Sequence, residues 1–69
     1  MLEILVAGER TVGELMDRTE LGQSLVSHHL RTLRDAGLVV TRRDGRWIHY
    51  SIAAAALGSI RAVLGTLQP

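Results

Sequence analysis

A mostly α fold with one small β-hairpin, ordered as a winged helix-turn-helix, is what this sequence of 69 residues predicts. Three observations lead there. Residues 23–40, QSLVSHHLRTLRDAGLVV, hold a helix with two opposed faces. Just upstream, Thr11 and Glu14 have the spacing that starts another short helix, and just downstream Asp44-Gly45 joins two runs of alternating polarity. Helix, tight turn, helix and hairpin in that order make the core of the motif and its wing.

Residues 1–7 read as the end of a helix, with Leu2, Leu5 and Val6 apolar and Gly8 as its stop. The Thr11 hydroxyl and the Glu14 carboxylate can each satisfy an orphan backbone amide, the capping box, so a second helix is expected over residues 12–18, burying Val12, Leu15 and Met16. Residues 19–22 then form the turn, with Leu21 packing inward and Gly22 as the N-cap of the next helix. At about 100° per residue, Val26, Leu30 and Leu33 fall in one narrow arc of that helix, and Gln23, Ser24, Ser27, His28 and Arg31 crowd the opposite one. The first arc is core. The second carries side chains that donate to and accept from base edges and phosphates, with Arg34 adding charge nearby. A solvated helix face is polar too, and it is the arginine-tipped hairpin directly after it that tilts the reading towards nucleic acid.

Gly37 is placed as the C-terminal cap, and Leu38 can fold back onto the helix. From there the period changes to two. Strands are expected over residues 39–43 and 46–52, joined at Asp44-Gly45 with positive φ at both turn positions. Ile48, Tyr50 and Ile52 share the face expected to be core, while Trp47 and His49 share the other, with Trp47 partly exposed and expected to pack on the hairpin in preference to stacking on a base. The last helix is expected over residues 51–67, started by Ser51. Leu57, Ile60, Leu64 and Leu67 recur in it as the narrow seam of a helix-helix contact. The seam serves either the chain's own core or a second subunit; the small residues at 53–56 would allow close approach and favour the intersubunit contact.

Composition removes several alternatives. A chain this short buries only about 60% of its unfolded surface, so help from a second copy is expected. The absence of cysteine excludes disulfides, thiolate metal sites and thiol switches. No stretch approaches the roughly 18 apolar residues of a membrane span, and no basic-then-apolar leader is visible, which points to the cytoplasm. The formal net charge is only +1, but it is unevenly distributed. Arg10 and Arg18 against Glu3, Glu9, Glu14, Asp17 and Glu20 leave residues 1–22 at −3, whereas Arg31, Arg34, Arg42, Arg43 and Arg46 against Asp35 and Asp44 leave residues 23–50 at +3. Every basic residue is arginine, which suits bidentate contacts to phosphate or guanine, although codon bias in a GC-rich genome produces the same pattern.

Taken together, VSHHLRTLRDAGLV followed by RRDGRWIHYSI resembles the arsenic-repressor-like (ArsR/SmtB) winged-helix family, from about Leu2 to Ile52. The resemblance implies a homodimeric transcriptional repressor that binds a palindromic operator and releases it when an inducer binds. It implies that Gln23, Ser24, Ser27, His28 and Arg31 belong to a DNA-reading helix, that Arg43 and Arg46 belong to the wing, and that a leading and a closing helix build the dimer. Two departures stand out. Where the family's thiolate site reads ELCVCEL, this chain has RTVGEL, with Thr11 and Gly13 at the cysteine positions, and its closing helix holds none of the Asp, His or Glu ligands of the zinc-sensing members. The family's leading helix would also precede Met1, and most of it is missing here.

Neighbouring helix positions point about 100° apart, so His28 and His29 cannot share one metal ion in the usual way. No metal or other cofactor is expected. His28 is expected to meet DNA and His29 to pack near the core edge. Ser27 beside His28 lacks a positioned carboxylate and a glycine elbow, so no enzyme activity is expected. Residues 1–52 are therefore read as a winged helix-turn-helix DNA-binding domain with a truncated leading helix, and residues 53–69 as a C-terminal dimerisation helix. The expected DNA-binding residues are Gln23, Ser24, Ser27, His28, Arg31, Arg42, Arg43 and Arg46, and the expected dimer residues Leu57, Ile60, Leu64 and Leu67. The partners are double-stranded DNA and a second copy, with no membrane and an inducer the sequence does not name. Two other readings stay open: the same fold binding a protein instead of DNA, and the DNA-binding or docking domain of a larger protein.

Overall fold

The computed structural model describes residues 1–67, and for residue 67 the backbone alone. The chain runs α1 (Leu2–Ala7), β1 (Arg10–Thr11), α2 (Val12–Thr19), α3 (Gln23–Asp35), β2 (Val39–Asp44), β3 (Trp47–Ile52) and α4 (Ala54–Leu67). The three strands form one antiparallel sheet in the order β1-β3-β2. The fold class is the expected one, a winged helix-turn-helix.

Local chemistry places most element ends. At α2 the Thr11 hydroxyl accepts from the Glu14 amide, and the Glu14 carboxylate accepts from the Thr11 amide at 2.9 Å, closing the capping box. Gly22 precedes α3 as its N-cap. At the other end Gly37 has φ 77°, its amide donates to the Arg34 carbonyl at 2.9 Å, and the Leu38 amide reaches back to the Leu33 carbonyl at 3.0 Å. That pair of bonds is a Schellman closure, and Leu33 and Leu38 both pack against the core, as its hydrophobic contact requires.

The core is where the helices meet the sheet. Leu5, Leu15, Val26, Leu30 and Val39 are buried together, with Met1, Ile4, Val12, Met16, Leu21, Tyr50 and Ile52 packed around them. Each fully buried leucine or valine is worth roughly 1.5–3 kcal/mol against exposure. The register pairs Val39 with Ile52, Thr41 with Tyr50 and Arg43 with Ile48, so these side chains share the sheet face turned to the helices. Val40, Ser51, Arg42, His49, Asp44 and Trp47 take the opposite face.

Several expectations need correction. The strand β1 was not visible, because two residues carry no periodicity and their pairing, Arg10 with Tyr50 and Thr11 with His49, is made across the chain. The hairpin turn lies one residue later than expected: Asp44 pairs with Trp47, and the loop is Gly45-Arg46. Only Gly45, at φ 62°, is in the left-handed region, so one turn position has positive φ and not two. Ser51 does not start the last helix. It sits in β3 opposite Val40, and the helix begins at Ala54 after the Ala53 amide has bonded to the Leu38 carbonyl at 2.9 Å. Ile48 is on the face expected, yet 45% exposed, because the hairpin has run past the helices by that point. His29 is exposed and does not pack at the core edge; its ring lies 5.9 Å from that of His28.

In α4, Ile60 is already buried within the chain, while Leu57 and Leu64 are half-buried. The side chain of Leu67 lies outside the described residues. Leu2, Leu38, Ser59, Ile60, Val63 and Leu64 line an open, mainly apolar groove, and Val63 is 60% exposed. Among the described residues no helix is long and apolar enough to cross a membrane.

Candidate nucleic-acid interface

Burying Val26 and Leu30 fixes the rotation of α3, and that rotation decides what faces outward. Gln23, Ser24, Ser27, His28 and Arg31 are all exposed, and Ser24, Ser27, His28 and Arg31 line one shallow depression on the helix surface. This is the polar edge expected from the 3.6-residue period. Among the described residues the ion pairs are Met1 with Glu3 and Arg42 with Glu9, with Nδ1 of His49 3.6 Å from the Glu9 carboxylate, so Arg31 is not engaged with any described carboxylate.

The wing arginines divide by sheet face. Arg43 stands on the side turned to the helices, and its Nε–H donates to the Gly45 carbonyl at 3.2 Å, which holds the guanidinium near the turn. Arg46 is exposed at the loop. Arg42, one residue away, points to the other side. There its Nε–H and Nη2–H reach the two oxygens of Glu9 at 3.2 and 2.6 Å, a bidentate pair. The structure therefore brings Arg43 and Arg46 to the tip and pairs Arg42 with Glu9 on the other face of the sheet. No local pattern around Glu9 announced this, because its partner lies 33 residues further on.

Trp47 is 61% exposed, more than packing on the hairpin implies. With Arg46, Ile48 and Tyr50 from the wing and Thr11, Val12 and Gly13 from the start of α2, it lines a cleft. Thr11 and Gly13 offer no metal donor comparable to a thiolate, and among the described residues no three His, Asp or Glu side chains gather to hold a metal ion.

Two carboxylates are shifted by these contacts. The hydrogen bonds from Arg42 hold the Glu9 carboxyl below its usual range, with the charges of Arg42 and His49 acting in the same sense. The backbone amide of Thr11 does the same for Glu14. A depressed carboxylate contributes stability above its unfolded value, and that contribution is lost as pH falls through the lowered native value. In a carboxyl-carbon NMR titration, Glu9 is expected to titrate below the ordinary value of about 4.3. Arg42→Ala should return it towards that value while leaving Glu14 in place. An unshifted Glu9 in the unmodified chain would contradict the pair.

A capped helix, a tight turn, a second helix with an outward polar face and an arginine-tipped hairpin define a winged helix-turn-helix protein. Residues 1–41 match the bacterial regulatory proteins of the arsR family. The chain belongs to that family. It is 45% identical over 64 residues to a helix-turn-helix-type transcriptional regulator of Mycobacterium tuberculosis, an alignment covering 91% of this chain and 56% of the relative. It is 38% identical over 63 residues to a biofilm growth-associated repressor of Xylella fastidiosa, covering 91% and 55%. Both relatives are named as regulators, not enzymes. Among solved structures it is similar to the homodimeric winged helix-turn-helix DNA-binding domain Mb0332 of Mycobacterium bovis, at a TM-score of 0.83 and 30% identity over 96% of this chain and 61% of that one. The chain thus spans little more than half the length of these two curated relatives.

Proposed function

We propose that this chain acts as a cytoplasmic, DNA-binding transcriptional repressor that binds a palindromic operator as a homodimer. The observation that carries the reading is the outward polar face of α3, Gln23, Ser24, Ser27, His28 and Arg31, fixed by burial of Val26 and Leu30 on the opposite side. In this reading α3 enters the major groove, where its side chains meet base edges, and Arg43 and Arg46 grip the backbone beside it. Residues 1–52 form the DNA-binding unit, and α4 in the stretch that follows makes the dimer contact. Support for the dimer comes from the small core, the mainly apolar groove beside Ile60 and Leu64, and the exposed Val63 that lines it. Two copies of α3 would then sit about 34–36 Å apart, one helical turn of DNA.

Phosphate contacts make affinity fall with salt at about 0.9 per contact in the double-logarithmic slope. Fluorescence anisotropy with a labelled duplex should therefore show steep salt dependence. Arg43→Ala should flatten it by about 0.9 per protomer and weaken all sequences alike. An unchanged slope in that variant would remove Arg43 from the interface.

A further inference from the structure

The hairpin loses its support part-way along. At its base Val39 and Ile52 lie in or against the core, and β1 flanks β3 as a third strand. The last pair made by β1 is Thr11 with His49. Beyond that level the wing is two-stranded, its remaining pairs are Arg43 with Ile48 and Asp44 with Trp47, and all four of those residues are exposed. A two-stranded hairpin without a packed face is marginal by itself, so its direction depends on whatever holds it where the third strand ends.

Glu9 stands at that level. It lies in the segment joining α1 to β1, and its carboxylate accepts both bonds from Arg42 on β2 while standing 3.6 Å from Nδ1 of His49 on β3. Arg42 and His49 are opposite each other in the register, so one carboxylate touches both strands of the wing at one rung. The bidentate geometry fixes an orientation, which a single contact between point charges would not.

We propose that Glu9 and Arg42 are positioning residues that aim the wing, so that Arg43 and Arg46 reach the duplex when α3 does, and that Arg42 itself makes no phosphate contact. The proposal rests on the DNA-binding reading above. It assigns the two adjacent arginines of one strand opposite tasks: Arg43 meets the partner, and Arg42 holds the strand that presents it.

The test compares Glu9→Gln, Arg42→Ala, the double variant and Arg43→Ala for binding to a labelled random-sequence duplex over a range of salt. Glu9→Gln and Arg42→Ala should each weaken binding roughly two- to fivefold, the scale of one exposed ion pair. The double variant should lose no more than either single one, because both remove the same contact. Their salt slopes should match that of the unmodified chain. A slope flattened by about 0.9 per protomer in Arg42→Ala would make Arg42 a phosphate contact and overturn the proposal. Tighter binding by Glu9→Gln would also overturn it, since Glu9 would then be masking Arg42. Amide hydrogen exchange on the same variants reads the clamp without DNA. Exchange should quicken over residues 42–49 and stay unchanged at Leu15 and Leu30, whereas unaltered exchange in the wing would defeat the clamp. If the unmodified chain binds no duplex, the DNA reading fails while the exchange result still decides whether Glu9 holds the wing.

Discussion

Leu15→Ala is expected to remove a large part of the chain's stability at 25 °C. Leu15 is 0% exposed and sits in a cluster with Leu5, Val26, Leu30 and Val39. Truncating a buried leucine costs about 2–5 kcal/mol, from lost transfer energy and from the cavity left behind. At about 0.05–0.15 kcal/mol per residue, a chain of this size has a total stability of the same order. Circular dichroism during urea titration should show the native baseline shortened or lost. Leu25→Ala provides the contrast, since Leu25 is 45% exposed and lies outside the cluster. Its unfolding free energy should stay within about 0.5 kcal/mol of that of the unmodified chain. Equal losses in the two variants would mean that the core is not where the packing places it.

Ser27→Glu is expected to abolish DNA binding while leaving the fold intact. Ser27 is exposed in the middle of α3 and borders the same depression as Ser24, His28 and Arg31. A carboxylate there would face the phosphate backbone or the electron-rich base edges, and like charges placed together at an interface cost several kcal/mol. That corresponds to a loss of roughly a hundredfold or more. Glutamate is a good helix former, so the melting curve should barely move. Anisotropy titration against a labelled duplex separates the two effects. Retained affinity in a folded Ser27→Glu chain would show that this face does not meet DNA.

What could be read from the sequence was whatever depends on neighbours along the chain. The capping box needs only Thr11 and Glu14, the Schellman closure only Leu33 to Leu38, and the facing of α3 only its apolar period, and all three stand as expected. Features set by distant partners were not readable. β1 exists because Tyr50 and His49 pair with it, and Ser51 is held in β3 by pairing with Val40 although its residue type also suits a helix cap. The shift of the turn by one residue is different, a local choice in which Asp44 pairs with Trp47 and Gly45 takes the single positive φ.

The candidate interface follows the same division. Its α3 half was legible because one helix presents it. Its wing half was only partly so: Arg42 and Arg43 look alike in sequence, and the alternation of a strand says that they face opposite ways without saying which way meets a carboxylate. Glu9 decides that, through bonds at 2.6 and 3.2 Å that span 33 positions.

The most direct measurement is amide chemical-shift mapping of the isotope-labelled chain during titration with a short duplex at low salt. Perturbations should concentrate at Gln23, Ser24, Ser27, His28 and Arg31 and at the wing tip from Arg43 to Arg46, with little change along the groove of Leu2, Leu38 and Val63. Shifts confined to that groove, with the α3 face silent, would contradict the account.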